Sequence, residues 1–499
     1  MLPTFSVWRP FRAIVLALTL CVLTLPACIQ AQEHDDLRRM LDQRSQHRSI
    51  ERERTLLEQE SKSEHSFITV DGERYTVEHN ASDVGRALYL SLQHWQWAAV
   101  QRFLDEYLTL SDCDPLLVHY ARGALARTRR DYAEAERQYR ELLVLQPGFL
   151  PGRLELARAL FDDQQDVEAG QLFDAIAASL DADDPKTAGI RRSVATFQRA
   201  LAERRRWNGS VAWGAAWSDN LNRSSASTMC WAYIGGQCWI TQTTPDPIAS
   251  TGLDYDANLN KQLALRGHHG VYPCSLLFDQ SCRDNRTYNE LIAITQAGYR
   301  YRSGRHSLSL APSFEYYAWG NRALYGAWGA HAEWSWMPSP ASLLKLEGDW
   351  KAMRYRRTDY TANYDGVVRA VYARYFRSLG RQWTAFGGAD VVDSASAQTV
   401  YSYLQRGVRL GASLRWPRGV SSTVFASYRH RRYGAYSALL GTRRTDEEQG
   451  YTFVLKVVRW AFAGFTPLLT PRHTHVRSDI DWLYSYDGSV VSLKLERLL

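Results

Sequence analysis

Apolar and polar side chains alternate along the chain with a period of two residues from Trp207 to the C-terminus. In one such stretch, Leu344 and Leu346 alternate with Lys345 and Glu347. Successive side chains of a β-strand point to opposite faces, so this period predicts a long series of strands with one apolar and one charged face. Two folds fit that pattern: a soluble β-sandwich with its apolar faces inside, and a barrel in lipid with its apolar face outside.

Strand length, aromatic residues near strand ends and the spacing of connections favour the barrel. A strand of about ten residues crosses a bilayer. Short connections centre on residues 268–270, 303–305, 338–340, 379–381, 417–419 and 463–464, and longer ones cover 219–250, 279–288, 319–325, 356–365, 393–401, 434–447 and 477–485. Short periplasmic turns that alternate with longer external loops are typical of outer-membrane barrels. The sequence therefore predicts a 14-stranded antiparallel transmembrane β-barrel over residues 207–499, with the N- and C-termini of the barrel both in the periplasm.

The segment 81–206 changes to a helical period and contains a repeat of 34 residues. If Leu116 is position one, the residues typical of tetratricopeptide repeats fall at positions 8, 20, 24 and 32. These are Gly123, Ala135, Tyr139 and Pro147 in one unit, and Ala157, Ala169 and Phe173 in the next. We expect an all-α repeat domain in the periplasm, preceded by a degenerate unit. The concave face of such repeats usually binds a protein or peptide, although a purely structural spacer is also compatible with the pattern.

The N-terminal region reads as an export signal followed by a charged segment. Arg9 and Arg12 precede an apolar run that ends before Pro26, which predicts a signal peptide over residues 1–31. Cys28 stands in a lipoprotein-like context, so lipidation at this position remains an alternative to cleavage after Ala31. Residues 32–80 are highly charged and end in a short hairpin signal. We therefore expect the mature chain to enter an oxidising compartment.

Four cysteines of the barrel region form two pairs with seven residues between their members. They are Cys230 with Cys238 and Cys274 with Cys282. Four cysteines allow three connectivities, and the short loops favour a disulfide between the two members of each pair. We expect the disulfides Cys230–Cys238 and Cys274–Cys282. A zinc site would more often use a spacing of two to four residues, and export favours disulfides.

No motif indicates an enzyme, a cofactor or a nucleic-acid partner. The chain shows no phosphate-binding loop, no HExxH and no convincing nucleophile elbow. Its net charge of +7 comes without a block of basic residues. His473 and His475 could hold a metal, but they are better explained as polar residues that face the barrel lumen. Other lumen candidates are Lys345, Glu347, Asp349, Arg409 and Arg415.

A family resemblance rests on the order of signal, short repeat domain and 14-stranded barrel, and on the residues Trp95–Trp97, Phe103–Tyr107, Asp114–Leu117, Arg153–Ala157, Ser218–Asn222 and Leu310–Glu315. In these features the chain resembles the surface lipoprotein assembly modulator (Slam) family, the translocon of type XI secretion. The Cys-bearing first loop and the final Leu499, where an aromatic residue is common, depart from it.

The resemblance implies export of a client surface lipoprotein, or of a related soluble protein, across the outer membrane. Further partners would be outer-membrane lipid, a periplasmic carrier or chaperone and the barrel-assembly machinery. Two other functions stay open on the sequence alone. A polysaccharide exporter also places helical repeats before a barrel, and a small-solute porin needs only the barrel.

Overall fold

The computed structural model describes residue 57 and residues 78–181, 183–438 and 440–499. The expected signal peptide, Cys28 and most of the charged segment with its hairpin lie outside the described residues. Within the described residues, no helix combines the length and the apolar character needed to cross a membrane.

Seven helices form the N-terminal domain within residues 78–181 and 183–206. They are α1 (Ala81–Gln93), α2 (Trp97–Tyr107), α3 (Pro115–Thr128), α4 (Tyr132–Leu145), α5 (Leu150–Asp162), α6 (Asp166–Ser179) and α7 (Ala188–Arg205). The turn inside each successive helix pair contains one residue with positive φ, namely Trp95, Arg130 and Gln164. These residues are 35 and 34 positions apart, so the helices form three repeats that α7 follows.

The repeat-defining residues lie where paired helices touch. A Cβ atom added to Gly123 would lie 2.7 Å from the ring of Tyr139, so glycine permits the close approach of α3 and α4. Ala135, Tyr139 and Ala157 are fully buried. Ala169 and Phe173 are equally buried in the next repeat, and Pro147 lies in the exposed turn after α4. These contacts explain the spacing on which the repeat prediction was based.

Fourteen long strands form the C-terminal domain. They are β1 (Asn208–Ser218), β4 (Ser250–Asn260), β6 (His269–Cys282), β7 (Glu290–Arg302), β8 (His306–Trp319), β9 (Arg322–Ser339), β10 (Ser342–Tyr355), β11 (Gly366–Leu379), β12 (Trp383–Ser396), β13 (Tyr403–Trp416), β14 (Val420–Tyr433), β15 (Thr445–Val457), β16 (Phe465–Ser478) and β17 (Tyr486–Leu498). Each pairs antiparallel with its neighbours in the chain, β4 pairs with β6, and β1 pairs with both β4 and β17. The sheet is therefore a closed barrel, as the sequence predicted.

The two faces of the barrel differ in the way that lipid requires. Leu410 on β13 and Leu493 on β17 are 71% and 58% exposed on the outer face. Lys494 and Glu496, which alternate with Leu493, are 3% and 1% exposed on the inner face. A soluble sandwich would bury the leucines instead, so the accessibility pattern decides between the two folds that alternation left open.

The strands are joined by short turns at one end of the barrel and mostly by longer loops at the other. We call these the short-turn end and the long-loop end. The long loops hold the hairpin β2 (Thr228–Ile234) and β3 (Gln237–Thr243), and the short helices α8 (Thr358–Tyr364) and α9 (Asp481–Tyr484). The turn before β6 contains β5 (Leu263–Ala264).

One predicted long loop, at residues 319–325, is instead a two-residue turn. Strand β8 ends at Trp319 and β9 begins at Arg322. The turn residues Gly320 and Asn321 have φ values of 58° and 62°. Two consecutive left-handed residues match the twist of a tight hairpin, which glycine and asparagine adopt more readily than other residues. The strands therefore continue further than the sequence pattern indicated.

Candidate functional site

The helical domain is fixed to the short-turn end of the barrel by a small group of polar contacts. Asp163 accepts a hydrogen bond from the backbone nitrogen of Gly304 at 3.0 Å, and its second oxygen lies 2.8 Å from His268 Nε2. Arg130 donates to the carbonyl oxygens of Gly304 and Met337. Asp163 lies in the turn inside the third repeat and Arg130 in the turn inside the second, so two successive repeats reach the barrel through the corresponding turn.

We call these contacts between the two domains the joint, and further contacts extend it along the rim of the barrel. Glu168 accepts a hydrogen bond of 2.8 Å from the backbone nitrogen of Gly267. The Tyr132 ring lies directly against Gly304, where a Cβ atom would be only 2.1 Å from the ring. A cavity of about 870 Å³ lies beside these contacts, between α2, α3 and α4 and the barrel turns. The joint therefore holds the repeats over one side of the barrel end and leaves an open space next to it.

His268 gives the joint a titratable group. Its hydrogen bond to Asp163 raises the pKa of the imidazole above the ordinary value of 6.5, partial burial opposes this, and the Asp163, Glu136 and Glu168 carboxylates add to it. The Tyr301 ring packs against the imidazole at a centroid distance of 5.2 Å. Protonation of His268 therefore strengthens the contact between the two domains.

Charged side chains connect the first helices of the second and third repeats. Arg127 bonds to Glu155 at 2.9 Å and to Asp162 at 2.8 Å, and Arg158 bonds to Glu155 at 2.8 Å. Burial raises the pKa of Glu155, but the attraction of Arg127 and Arg158 outweighs it and leaves the pKa lowered. Arg158 also donates to Ser193 on α7. The repeat surface is thus ionic and internally cross-linked.

Among the described residues of the charged N-terminal segment, Leu57 reaches the apolar core of the repeat domain. Leu57 is helical and packs against the apolar cluster of the second and third repeats. Tyr120 and Leu154 pack against the same cluster. The repeat surface therefore accepts an apolar side chain from outside the helical pairs.

The predicted lumen residues of β10 lie on the inner face and are ion-paired. Lys345 Nζ lies 2.9 Å from carboxylate oxygens of both Glu333 and Glu347. Asp349 lies 2.8 Å from His331 Nδ1. All five side chains are buried against neighbouring inner residues. This wall of the lumen is polar, but its charges are neutralised locally.

The charged residues on the opposite wall of the lumen are also ion-paired. Lys494 pairs with Asp254 and Asp256, Lys456 with Glu496, and Arg429 with Glu448. Arg409 lies on the inner face of β13 with its guanidinium 5.4 Å from the ring of Phe425. Arg415, on the same face by parity, is exposed at the short-turn end. The structure therefore separates the two arginines that the sequence grouped together.

Tyrosines pack along the inner side of the long-loop end. Tyr364 of α8 lies 4.5 Å from Tyr401 and 5.7 Å from Tyr355 between ring centroids. Further along the rim, the Arg444 guanidinium lies 3.3 Å from the ring of Tyr484 in α9 and 4.5 Å from that of Tyr433. A cavity of about 110 Å³ lies beneath these rings, lined partly by Lys351, Glu315 and Arg431. Loops with α8 and α9 thus fold inward over the lumen.

The cysteines match the predicted pairing in one case and contradict it in the other. Cys230 and Cys238 form a disulfide across the β2–β3 hairpin, with Cα atoms 5.8 Å apart. The predicted Cys274–Cys282 bond is wrong, because both residues lie on strand β6 and are not disulfide-bonded. Eight residues of extended chain separate them by about 26 Å, far beyond disulfide reach.

The predicted placement of His473 and His475 in the lumen is also wrong. Thr474 and Val476, which alternate with them on β16, are buried on the inner face. Both histidines therefore lie on the outer face, where His475 Nδ1 is 2.7 Å from Asp487. Among the described residues, no group of three or more His, Cys, Asp or Glu side chains could hold a metal ion.

Two family models cover the two domains described above. The model "Surface lipoprotein assembly modifier" matches residues 207–498, and the model of its N-terminal TPR repeats matches residues 70–173. The chain belongs to the surface lipoprotein assembly modifier family. Its barrel is accordingly an outer-membrane barrel, with the short-turn end in the periplasm and the long-loop end outside.

Individual family members differ in their sequence identity to this chain. The hemophilin secretion modulator of Acinetobacter baumannii is 37% identical over 491 residues, which covers 96% of this chain and 98% of the relative. Surface lipoprotein assembly modifier 1 of Neisseria meningitidis serogroup B is 24% identical over 417 residues, which covers 83% of this chain and 82% of the relative.

The joint and the tyrosine packing were not anticipated from the sequence of this chain. Arg130 and Asp163 stand in turns whose 34-residue spacing was visible, but spacing does not show which end of a repeat faces a barrel. Tyr364, Tyr401 and Tyr484 lie in loops, where the strand period gives no information about direction.

Proposed function

We propose that the protein is an outer-membrane translocon that assists export of a client surface lipoprotein or a related secreted protein. The observation that carries the proposal is the joint through Asp163 and Arg130, which holds the helical repeat domain directly against the short-turn rim of the barrel. A client held by the repeats would be delivered within reach of the lumen. Membership of the surface lipoprotein assembly modifier family supports the same role.

The repeats would bind the client, or a periplasmic carrier that brings it, through their concave face. The contact of Leu57 with the apolar cluster beside Tyr120 supports this, since it is an apolar side chain received from another segment. The ionic network around Glu155 supplies polar partners next to that cluster. The barrel-assembly machinery would be a further partner, during insertion of the barrel itself.

The lumen would give an extended chain a polar path without preference for charge of one sign. Lys345 and Arg374 together balance Glu333 and Glu347, so this wall of the lumen presents no strong field of either sign. Weak, balanced contacts let a chain of any composition slide rather than bind tightly. The proposed role is therefore non-enzymatic, and folding of the client outside or a partner protein would supply the driving force.

Deletion of residues 82–186, with the N-terminal region and the barrel retained, tests capture by the repeats. We expect loss of client display at the cell surface while the barrel still inserts and resists heat unfolding on a gel. The matched control is the full chain with Arg130→Ala and Asp163→Ala, which keeps the repeats but weakens the joint, and which should reduce display to a smaller extent. Unchanged display after the deletion would refute capture.

Solute flux separates this role from that of a small-solute porin. The full chain in liposomes should give little swelling with small sugars, because tyrosines pack over the external end of the lumen. Swelling at porin-like rates would favour the porin instead. Export of a polysaccharide would be indicated by loss of surface polymer, rather than of a surface protein, in the deletion strain.

A further inference from the structure

The outer face of the barrel changes from apolar to basic near the external ends of β13–β16. Arg406 lies directly across from His430, His430 from Glu447, and Glu447 from Arg477. These four residues form one continuous row over four strands. Arg432 occupies the next outward position on β14. We call Arg406, Arg432 and Arg477 the rim arginines.

The rim arginines share the face that meets lipid. Val408 and Leu410, the next outward residues on β13, are 53% and 71% exposed. On β14, Val424 and Tyr428 are 55% and 40% exposed on the same face as Arg432. The inner-face neighbours Arg429 and Arg431 are instead buried and ion-paired. The basic row therefore continues the lipid-facing surface and does not belong to the lumen.

The row lies at the upper edge of the apolar band. Strand β14 begins at Val420 in the periplasmic turn, and His430 is ten residues further. A tilted strand rises by about 2.6 Å per residue along the barrel axis, which places His430 about 26 Å above that turn. The apolar band of such barrels is about 25 Å tall and ends in aromatic residues. Tyr428, directly below His430 on this face, fits that aromatic position, so the rim arginines reach the headgroup level of the outer leaflet.

Two acidic residues of this part of the outer face lie beside histidines. Glu447 lies directly across from His430, and the Asp487 carboxylate lies 2.7 Å from His475 Nδ1. No carboxylate in the described part of the chain, residues 78–181, 183–438 and 440–499, forms an ion pair with a rim arginine. The positive charges thus remain available to an anion in the membrane.

The outward arginines near the external ends of the neighbouring strands β10 and β11 are ion-paired, since Arg354 lies 3.5 Å from Asp365 and Arg369 lies 3.2 Å from Asp393. The outward residues near the external ends of β1, β7 and β8 include Trp217, Leu291 and Tyr316, which are uncharged. A general adaptation to the membrane surface would affect all strands alike. The concentration of guanidinium groups on β13–β16 indicates a specific site.

We propose that the rim arginines and His430 bind the phosphate groups of a phosphorylated lipid in the outer leaflet. Guanidinium groups donate paired hydrogen bonds to phosphate oxygens, and a weakly hydrated cation suits the membrane interface. The diagonal spacing of Arg406 and Arg432, about 7–8 Å between Cα atoms, allows two arginines to contact one headgroup. The site is independent of the proposed export function, because it faces lipid and not the client path.

Lipid binding to the full chain in detergent tests the proposal. The probe is a diphosphorylated glucosamine-based lipid, measured by native mass spectrometry beside the same lipid without phosphates. The triple variant Arg406→Gln, Arg432→Gln and Arg477→Gln is compared with the control Arg415→Gln, Arg418→Gln and Arg459→Gln, which removes three exposed arginines at the periplasmic end. We expect affinity to fall about fivefold for each rim arginine removed, hence about a hundredfold in the triple variant, and to stay unchanged in the control.

Three results would overturn the proposal. Equal binding of the dephosphorylated lipid would show that phosphate is not recognised. Equal losses in the two triple variants would show non-specific attraction by net charge. Competition by millimolar inorganic phosphate as effective as that by the lipid would show an anion site without lipid selectivity. Heat-modifiable migration on a gel verifies that the barrel is folded in the unaltered chain and in both triple variants.

Discussion

Asp163 Oδ2 and His268 Nε2 lie 2.8 Å apart and join the third helical repeat to the first periplasmic turn of the barrel. The same carboxylate accepts a hydrogen bond from the backbone of Gly304 in the next turn. One side chain therefore holds two turns, and the contacts around it are polar and few. A joint of this kind fixes the orientation of the repeat domain on the barrel. It does so without the large apolar interface that would make the contact permanent.

Docking of the repeats should weaken as pH rises. The hydrogen bond to Asp163 raises the pKa of His268, so its contribution is complete below about pH 6.5, the ordinary value, and is lost as pH rises through the raised value. Hydrogen exchange at Gly304 and Gly267, normalised to the 380–382 turn, should report faster opening at high pH. Asp163→Asn should remove the pH dependence, and an unchanged dependence in that variant would exclude this pair as its source.

A methyl group at Gly123 should destabilise the repeat domain. The new Cβ atom would lie 2.7 Å from the buried Tyr139 ring, which has no room to move. Overpacking of this kind costs about 1–3 kcal/mol. Thermal melting followed at 222 nm should show a lower helical transition for Gly123→Ala, whereas Gly189→Ala, at an open helical position, should melt at the same temperature or slightly higher. Equal melting of the two variants would contradict the close contact.

Removal of Lys345 should destabilise the barrel. Lys345→Met leaves Glu333 and Glu347 buried without their shared cation, and breaking a buried pair costs about 3–5 kcal/mol. Arg459→Met removes an exposed charge at the periplasmic end and should have almost no effect. Urea unfolding followed by gel mobility measures both. Adding Glu333→Gln to Lys345→Met should restore part of the loss, and the absence of any recovery would argue against charge as the cause.

Period and spacing predicted the fold well because each reports on packing between neighbouring elements. Gly123 and Tyr139 reveal the repeat since they touch, and Leu346 beside Lys345 reveals the barrel since adjacent strand residues face opposite media. The direction in which individual side chains point was harder to predict from the sequence. Alternation could not show whether His473 faces the lumen or lipid, since one shift of register exchanges the faces. The Cys274–Cys282 prediction failed because spacing alone did not show that one strand contains both residues.

Thiol labelling should distinguish the free cysteines from those that form a disulfide. Under denaturing but non-reducing conditions, Cys113, Cys274 and Cys282 should each react with an alkylating reagent. Cys230 and Cys238 should react only after reduction, because they are joined across the exposed hairpin. Mass spectrometry of proteolytic fragments gives the assignment. Protection of Cys274 and Cys282 before reduction would mean that strand β6 is assigned wrongly.

Replacement of α8 should open the external end of the lumen. Tyr360 and Tyr364 are buried beneath this loop, and Tyr364 packs on Tyr401 at the inner rim. A Gly/Ser linker of equal length in place of Thr358–Tyr364 removes these rings while leaving the strands intact. Single-channel recordings in planar bilayers should show a several-fold larger conductance than the unaltered chain. The same replacement at residues 436–442, where Tyr436 is 63% exposed, should leave conductance unchanged. If both replacements behave alike, the tyrosines do not close the lumen.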